Sequence, residues 1–337
     1  MRSLITLDPA SSVPKYQQIV NSILQAIDAN RLKIGDKLPS VNEVSLLTGL
    51  ANKTVVQAFD QLKQIGVVSS VQYKGYFVSS SNTQSKHNIF LLFNSLTAYK
   101  EYIYESIKES LSTKGVVDIF FHHNDSRIFN NLIEQSIGKY TEYIIMPIDD
   151  PAKNESLRKL PQDKIYIIDL GYKDLGATYP SVCQYFDQDI YDALSTGLAR
   201  ARKYKKAVLV LGSSPSKRLL EDIKTGFTKF CRENEFPYEI ILEVENRIPL
   251  AGELYIVLND QDLVQLVKKT SELALQLGTD VGVLSYNDTP FKEITANGIA
   301  TISTDFTYMG KEIIRLILTK SREQIKNPSY LISRNSF

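Results

Sequence analysis

Up to about residue 66, apolar side chains recur at the three- and four-residue spacing of amphipathic helices. This spacing predicts three helices. The first runs from Tyr16 to Ile27, the second starts after Ser40, and the third starts near Asn52 and ends before Gly66. Because only a tight turn separates the last two, the pattern predicts a helix-turn-helix.

The ends of these helices carry their own signals. Ser40 with Glu43 three residues later is a capping box, in which hydroxyl and carboxylate each bond an otherwise unpaired backbone amide. Gly66 stands where a helix ends in a left-handed residue. Two runs of strand-forming residues, 67–71 and 76–78, then flank a polar turn. Three helices and a β-hairpin indicate a winged helix, although a helical hairpin with an ordinary polar surface shares part of the pattern.

A helix-turn-helix protein places the second helix of the pair in the major groove of DNA. Here that helix buries one apolar face, so its leading end and its opposite face are available for DNA. The residues predicted to contact DNA are Ser40, Asn42, Asn52, Lys53, Thr54 and Gln57 in the helix pair, and Lys74, Gly75 and Tyr76 in the hairpin.

A polar stretch without helix or strand period, residues 79–88, predicts a flexible linker. The predicted boundaries are 1–80 for the winged helix, 81–88 for the linker and 89–337 for a second domain. From residue 89 onward, short apolar runs rich in β-branched residues alternate with amphipathic helices. Such runs suit strands covered on both faces, so the second domain is predicted to be α/β with parallel sheets.

Polar residues follow several of the predicted strands. Parallel α/β sheets bind ligands at the carboxyl ends of their strands, and neighbouring carboxylates and amides suit a hydroxyl-rich ligand such as a sugar. The same residue types also cap helices that begin there, so both interpretations stay open. The predicted ligand-binding residues are Asn94, Ser95, Tyr99 as a stacking ring, Asp125, Asp169, Asn259, Asn287 and Thr304.

Composition agrees with two globular domains. Of the 337 residues 43% are hydrophobic, and the formal charge is +3 over residues 1–80 and −2 over the remainder. Cys183 and Cys231 have no metal-ligand or redox spacing and are expected to be buried thiols. No signal peptide or membrane-spanning run is visible, so a cytoplasmic protein is expected.

The sequence gives little support to catalysis. It has no phosphate-binding glycine loop, no nucleophile elbow and no zinc-protease motif. Besides His87 in the linker, its histidines are the adjacent His122 and His123, which would point to opposite faces of a strand and cannot hold one metal together. The chain is therefore expected to be no enzyme and to need neither a metal nor a cofactor.

Roughly residues 10–78 resemble the DNA-binding domain of GntR-family transcription regulators. The resemblance rests on Pro14 and Tyr16 and on the runs at 33–40, 53–58 and 75–78. It implies a winged helix-turn-helix that binds DNA. The chain also departs from the family pattern, since asparagine replaces the usual arginine at two positions and tyrosine replaces the usual glycine at a third. These departures put the family's usual operator preference in doubt. These positions are Asn42, Asn52 and Tyr73.

The second domain resembles the sensor of lactose-repressor-family regulators, in the runs at 257–262, 281–290 and 300–306. This resemblance implies two α/β lobes like those of periplasmic sugar-binding proteins. It also implies that the effector touches the residues at Asp125, Asp169, Asn259, Asn287 and Thr304. Ile223 stands where the family has a cleft arginine, and Asn287 stands where aspartate is common, so no particular sugar is implied.

The predicted architecture is a winged helix-turn-helix joined to a two-lobed, periplasmic-binding-protein-like α/β sensor domain. The predicted function is a homodimeric transcription regulator that binds operator DNA under the control of a small polar effector, with no membrane partner. One alternative is a ligand-sensing module that uses its N-terminal domain for protein contacts. Another is an enzyme that acts on sugar phosphates.

Overall fold

A computed structural model describes residues 4–11, 13–81, 83, 87–137, 139–171, 173, 175–212 and 216–337. Residues 82 and 84–86 of the predicted linker lie outside the described residues. The chain packs into two compact units, whose segments alternate along the sequence. The first extends to Phe93 and adds Lys108–Ile145 and Lys153–Tyr166, and the second comprises Asn94–Ile107, Met146–Ala152 and Ile167–Phe337.

The N-terminal part has the predicted winged-helix elements. They are α1 (Lys15–Asp28), α2 (Val41–Thr48), α3 (Asn52–Gln64), β1 (Val68–Val71) and β2 (Gly75–Val78). The strands pair antiparallel, and the three helices share one apolar core that includes Ile19, Val44 and Phe59. Both bonds of the predicted capping box at Ser40 are present, and Gly66 has a φ of +72°. These local predictions are confirmed.

From His87 onward, strands and helices alternate as the apolar runs predict. The elements are β3 (His87–Phe93), α4 (Ala98–Leu111), β4 (Gly115–Phe121), α5 (Ser126–Ser136), β5 (Glu142–Ile145), β6 (Ile165–Asp169), β7 (Ser181–Cys183), α6 (Phe186–Thr196), α7 (Leu198–Ala201), β8 (Lys206–Val210), α8 (Lys217–Glu233), β9 (Tyr238–Ile241), β10 (Glu253–Val257), α9 (Asp260–Glu272), β11 (Val281–Tyr286), α10 (Pro290–Ile294), β12 (Ala300–Thr304), α11 (Phe306–Thr319), β13 (Gln324–Lys326) and β14 (Ser329–Ile332).

The strands form two six-stranded sheets. The first has the order β13-β7-β6-β5-β3-β4 and the second the order β14-β12-β11-β10-β8-β9. In these two sheets, the strand pairs that the structure describes are parallel, apart from the antiparallel pair of β12 with β14. Alternate residues of β8 enter different cores: Ala207 and Leu209 pack on one side of the sheet, Val208 and Val210 on the other. The predicted parallel α/β sheets, covered on both faces, are confirmed.

The chain passes between the two sheets three times, at what we call the three crossings. The first is at Gln184, between β7 and α6, and α6 packs in the core of the second sheet. The second crossing is at Asp305, after β12, and leads into α11, which packs against β7. The third is at Asn327 and Pro328, between β13 and β14. The crossings place the ends of β6, β7 and β12 close together.

Candidate functional site

The leading end of α3 is exposed and lacks a side-chain cap. Ala51 occupies the N-cap position, and both Asn52 and Lys53 are exposed. The N-terminus of a helix attracts phosphate because its first amides are unpaired and the helix dipole is positive there. Lys53 adds a full positive charge, so this end of α3 has the chemistry that a DNA backbone requires.

Two of the predicted DNA contacts are bonded to each other. The side-chain nitrogen of Asn52 donates to the side-chain oxygen of Asn42 at 3.2 Å. Ser40 is also engaged, because its hydroxyl accepts from the backbone of Glu43 at 3.2 Å. Gln57 is exposed on α3. At the two positions where the family carries arginine, the structure therefore has a neutral pair of amides.

The β-hairpin, which forms the wing, is fixed to α3 by an aromatic contact. Tyr76 packs edge-on against Phe59, with ring centroids 4.7 Å apart. At the tip, Tyr73 is 99% exposed and has a φ of +61°, in the left-handed region that favours glycine. The backbone thus adopts a conformation that is typical of glycine, while it presents Tyr73 and Lys74 to solvent.

Lys53→Ala is expected to weaken binding to all DNA sequences alike, because we expect Lys53, at the N-terminus of α3, to contact phosphate. The slope of log affinity against log salt concentration should become shallower by about one. Fluorescence anisotropy of a labelled duplex over a salt series measures this slope. Lys63→Ala is the matched control, since Lys63 is exposed near the other end of α3 and pairs with Asp60 at 3.5 Å. An unchanged slope for Lys53→Ala would contradict this docking.

In the second unit, Asp169 at the end of β6 lies in a buried polar cluster. Its side chain is 0% exposed and its φ is +68°. The carboxylate accepts a hydrogen bond from Gln184 through Oδ1, whereas Oδ2 has no hydrogen-bond partner among the described residues. Burial raises the pKa of Asp169, and the positive charge of Lys100 opposes that rise. Capping does not account for Asp169, because the next described helical turn starts only at Leu175.

Lys100, in the first turn of α4, supplies the positive charge of this cluster. Its amino group donates to the side chain of Asn94 and to the backbone carbonyl of Ser95, the latter at 2.9 Å. Burial lowers the pKa of Lys100 to about 8, against the opposing effect of Asp169. Sequence reasoning missed this residue, because a lysine early in an amphipathic helix is ordinarily solvated.

Gln184 is a second residue that sequence reasoning missed. Its Nε2 donates to Asp169, and its Oε1 accepts from the Thr304 hydroxyl at 2.5 Å. The structure therefore joins Asp169 and Thr304, which are both predicted ligand contacts, through one buried amide. Nothing local in the sequence marks Gln184, since its role depends on which strand ends the topology brings together.

Two other predicted residues keep part of their side chains available. The ring of Tyr99 stacks on Phe306, with centroids 4.4 Å apart and an angle of 22°, so only its other face can meet a ligand. Asn287 has a φ of +59°, and its backbone amide donates to Ile302 at 2.9 Å. Its side-chain oxygen is buried without a partner among the described residues.

Asp125 and Asn259 are engaged as helix caps. Asp125 accepts from the backbone of Arg127 at 2.8 Å and pairs with its guanidinium at 3.0 Å, and these bonds lower the pKa of Asp125 to about 2. Asn259 accepts from the backbone of Asp262 at 2.8 Å and donates to its carboxylate at 2.7 Å. The capping interpretation therefore describes both residues, and ligand contact by either stays a prediction.

Other predicted features concern the whole chain. Cys183 and Cys231 are free thiols and both are buried, as expected. Within the described residues, no three histidine, cysteine or acidic side chains group as a metal site requires. The helices in the described part of the chain are too short or too polar to cross a membrane.

Comparison with known proteins identifies both parts of the chain. Residues 15–78 match the profile of the bacterial regulatory proteins of the gntR family, and residues 199–336 match that of a periplasmic binding protein-like domain. The HTH-type transcriptional repressor YtrA of Bacillus subtilis is 32% identical over 78 residues, which are 23% of this chain and 60% of YtrA. The arabinose metabolism transcriptional repressor of Geobacillus stearothermophilus is 22% identical, with 96% of this chain and 98% of the relative aligned.

Solved structures show the same fold for the larger part. A dimeric Lac repressor with a C-terminal deletion superposes with a TM-score of 0.59 at 17% identity, covering 74% of this chain and 98% of that one. A periplasmic binding protein/LacI transcriptional regulator from Alkaliphilus metalliredigens, complexed with D-xylulofuranose, gives 0.59 at 11% identity, with coverage of 74% and 98%. The chain therefore carries a GntR-family winged helix-turn-helix domain, followed by a periplasmic-binding-protein-like domain with the fold of the Lac repressor sensor.

Proposed function

We propose that this protein is a transcription regulator whose affinity for operator DNA is controlled by a sugar. Residues 1–80 bind DNA, residues 81–88 connect, and residues 89–337 bind the effector without converting it. As a homodimer the protein places two α3 helices about 34 Å apart on a palindromic site, and the sugar alters that spacing. The main observation is that one chain combines a DNA-binding domain with a buried polar cluster in which Asp169 Oδ2 has no hydrogen-bond partner among the described residues.

The cluster favours a ligand that donates hydrogen bonds. Asp169 Oδ2 is an acceptor in this cluster, and it is buried without a partner among the described residues. Asn287 Oδ1 is a second such acceptor, directly after β11, which pairs with β12. A buried polar atom without a hydrogen bond is unfavourable by about 1–3 kcal/mol. A ligand hydroxyl that donates a hydrogen bond to either oxygen therefore removes this penalty. Asn94, Ser95 and Thr304 line the same cluster. Hydroxyl-rich sugars have the donors that these oxygens need.

The charges of the neighbouring strand ends favour a sugar without a phosphate. Lys100 faces Asp169 and already bonds two oxygens. Lys292, which is also buried, donates to the backbone carbonyls of Tyr286 and Asn287 at 2.7 and 2.8 Å and pairs with Asp260 at 2.9 Å. Because a buried phosphate needs a positive charge as its partner, and these charges are already paired, an uncharged sugar fits better.

The names of the relatives support a free sugar. One relative is an arabinose metabolism repressor and a structural neighbour holds D-xylulofuranose, and both of these sugars are uncharged. We therefore choose L-arabinose, D-xylose and D-xylulose as the first probes. Ribose 5-phosphate and glucose 6-phosphate serve as the charged comparison.

Thermal unfolding of the full chain with each sugar is expected to identify the effector. A ligand that binds only the folded protein stabilises it by about 2.7 kcal/mol at a hundred times its Kd, a clear rise in Tm. We expect a rise with at least one uncharged sugar and none with the two phosphates. The same sugar should change the affinity for a duplex that the protein selects from random DNA. If no duplex is selected, or if no sugar shifts Tm, the proposed function is wrong.

A further inference from the structure

The three crossings between the sheets are hydrogen-bonded to one another. The backbone amide of Asn327 donates to the carbonyl of Cys183 at 2.8 Å, which ties the third crossing to the first. Asp305 N–H donates to Pro328 at 2.9 Å, and the side chain of Asn327 donates to the carbonyl of Asp305 at 3.0 Å. These bonds tie the third crossing to the second. A movement of one sheet against the other must therefore strain or exchange these bonds.

Gln184 connects the first crossing to the second. Among the residues named at the three crossings, Gln184 is the one whose side chain also bonds Asp169. Its backbone amide donates to the carbonyl of Asp169 at 2.9 Å, and its side chain bonds the carboxylate of Asp169. Its other side-chain atom accepts from Thr304, the last residue before the second crossing. Gln184 is buried, so water does not readily replace either bond.

We propose that Gln184 is the positioning residue through which occupancy of Asp169 reaches the crossings. This inference rests on the proposed function, in which a sugar hydroxyl binds Asp169. A hydroxyl on Oδ2 draws the carboxylate toward the ligand, and the bond from Oδ1 draws the amide of Gln184 with it. Because the same amide holds Thr304, the second crossing moves with the first. The two sheets then take one arrangement when the sugar is bound and another when it is absent, as a two-state switch requires.

Substitutions at Gln184 and Thr304 can distinguish transmission through hydrogen bonds from a role in packing alone. Gln184→Met keeps the length and burial of the side chain but removes both bonds. Thr304→Val removes the bond between Thr304 and Gln184 alone. If Gln184 only fills space, both variants should transmit the signal. If it transmits as proposed, each should fail.

Reciprocity allows a test that needs no sugar. If the effector changes the affinity for DNA, DNA must change the affinity for the effector by the same factor, typically 5–150-fold, and in the proposed switch it does so by shifting the equilibrium between the two arrangements. Hydrogen exchange of the full chain, free and bound to a duplex selected from random DNA, reports on this change. The amides to follow are those of Asp305 and Asn327 at the crossings, and that of Leu170, which follows Asp169 and donates to the carbonyl of Ile168 at 2.8 Å.

DNA is expected to change the exchange rates of these amides by at least about fivefold in the unchanged protein. In Gln184→Met the DNA affinity should stay within about threefold, and the DNA-induced change in exchange should persist at Asp305 and Asn327 but disappear at Leu170. Gln188→Met is the matched control, since Gln188 is exposed on the neighbouring helix. It should behave like the unchanged protein.

Two results would overturn the inference while the proposed function stands. One is a DNA-induced change at Leu170 that persists in Gln184→Met, even if exchange there is faster overall, because a merely structural residue gives that result. The other is the absence of any change at the crossings when the unchanged protein binds DNA. Failure of the unchanged protein to select any duplex is a different outcome, since it removes the proposed function and this inference together.

Discussion

Asp169→Ala is expected to weaken binding of the effector by about tenfold to a hundredfold. Hydrogen bonds to a charged group contribute roughly 1.5–3 kcal/mol, and about 1.4 kcal/mol is a factor of ten in affinity. The burial of Asp169 strengthens this expectation, because the variant removes an acceptor whose Oδ2 has no described partner. It also leaves the buried Lys100 without the carboxylate that faces it.

The measurements for Asp169→Ala are calorimetric titration with the sugar and anisotropy with operator DNA. Affinity for DNA in the absence of sugar should stay close to that of the unchanged protein, while the response to sugar is lost at concentrations that switch it. Asp169→Asn keeps the size of the side chain and tests whether charge is needed. Asp163→Ala, at an exposed aspartate, is the surface control. Normal binding and normal response in Asp169→Ala would exclude this residue from the effector site.

Gly75→Val is expected to reduce affinity for DNA by roughly tenfold or more and to leave affinity for the sugar intact. Gly75 has a φ of +107°, and a Cβ atom there would lie 3.2 Å from Cε of Lys37. Holding a branched residue in such a conformation is unfavourable by about 1–3 kcal/mol, and the hairpin turn must change shape to relieve it. The tip that presents Tyr73 and Lys74 then no longer meets the DNA backbone.

Two readouts on one sample decide the Gly75→Val experiment. The sugar-induced rise in Tm should match that of the unchanged protein, because Gly75 belongs to the hairpin and not to the polar cluster around Asp169. Gly75→Ala carries the same strain with less bulk and should show a smaller loss. A parallel loss of DNA binding and of the sugar response would indicate misfolding, and the proposed role of the wing would fail.

The winged helix was predictable from sequence because its signals are local. The capping box at Ser40, the left-handed Gly66 and the apolar faces of the helices each depend on a few neighbouring residues. Most strands of the sensor were predictable for the same reason. Two were not: β7 and β13 have three residues each, too few to show a period.

The polar cluster was only partly predictable, because a helix cap and a ligand contact look alike in sequence. Asp125 and Asn259 cap the helices that follow them. Asp169 does not, since its strand ends in a left-handed residue and the next helical turn that the structure describes starts at Leu175. Lys100 and Gln184 gave no local signal at all. Their positions follow from the order of strands in the sheets, which sequence spacing does not reveal.

The strand order also has a consequence for synthesis of the chain. The first sheet is completed by β13, at residues 324–326, which pairs with β7 at residues 181–183. A ribosome adds roughly 5–20 residues per second, so the edge of β7 waits on the order of 10 s for its neighbour. Unpaired strand edges invite aggregation. With only three residues, β7 offers few free backbone groups during that interval, so its short length protects the nascent protein.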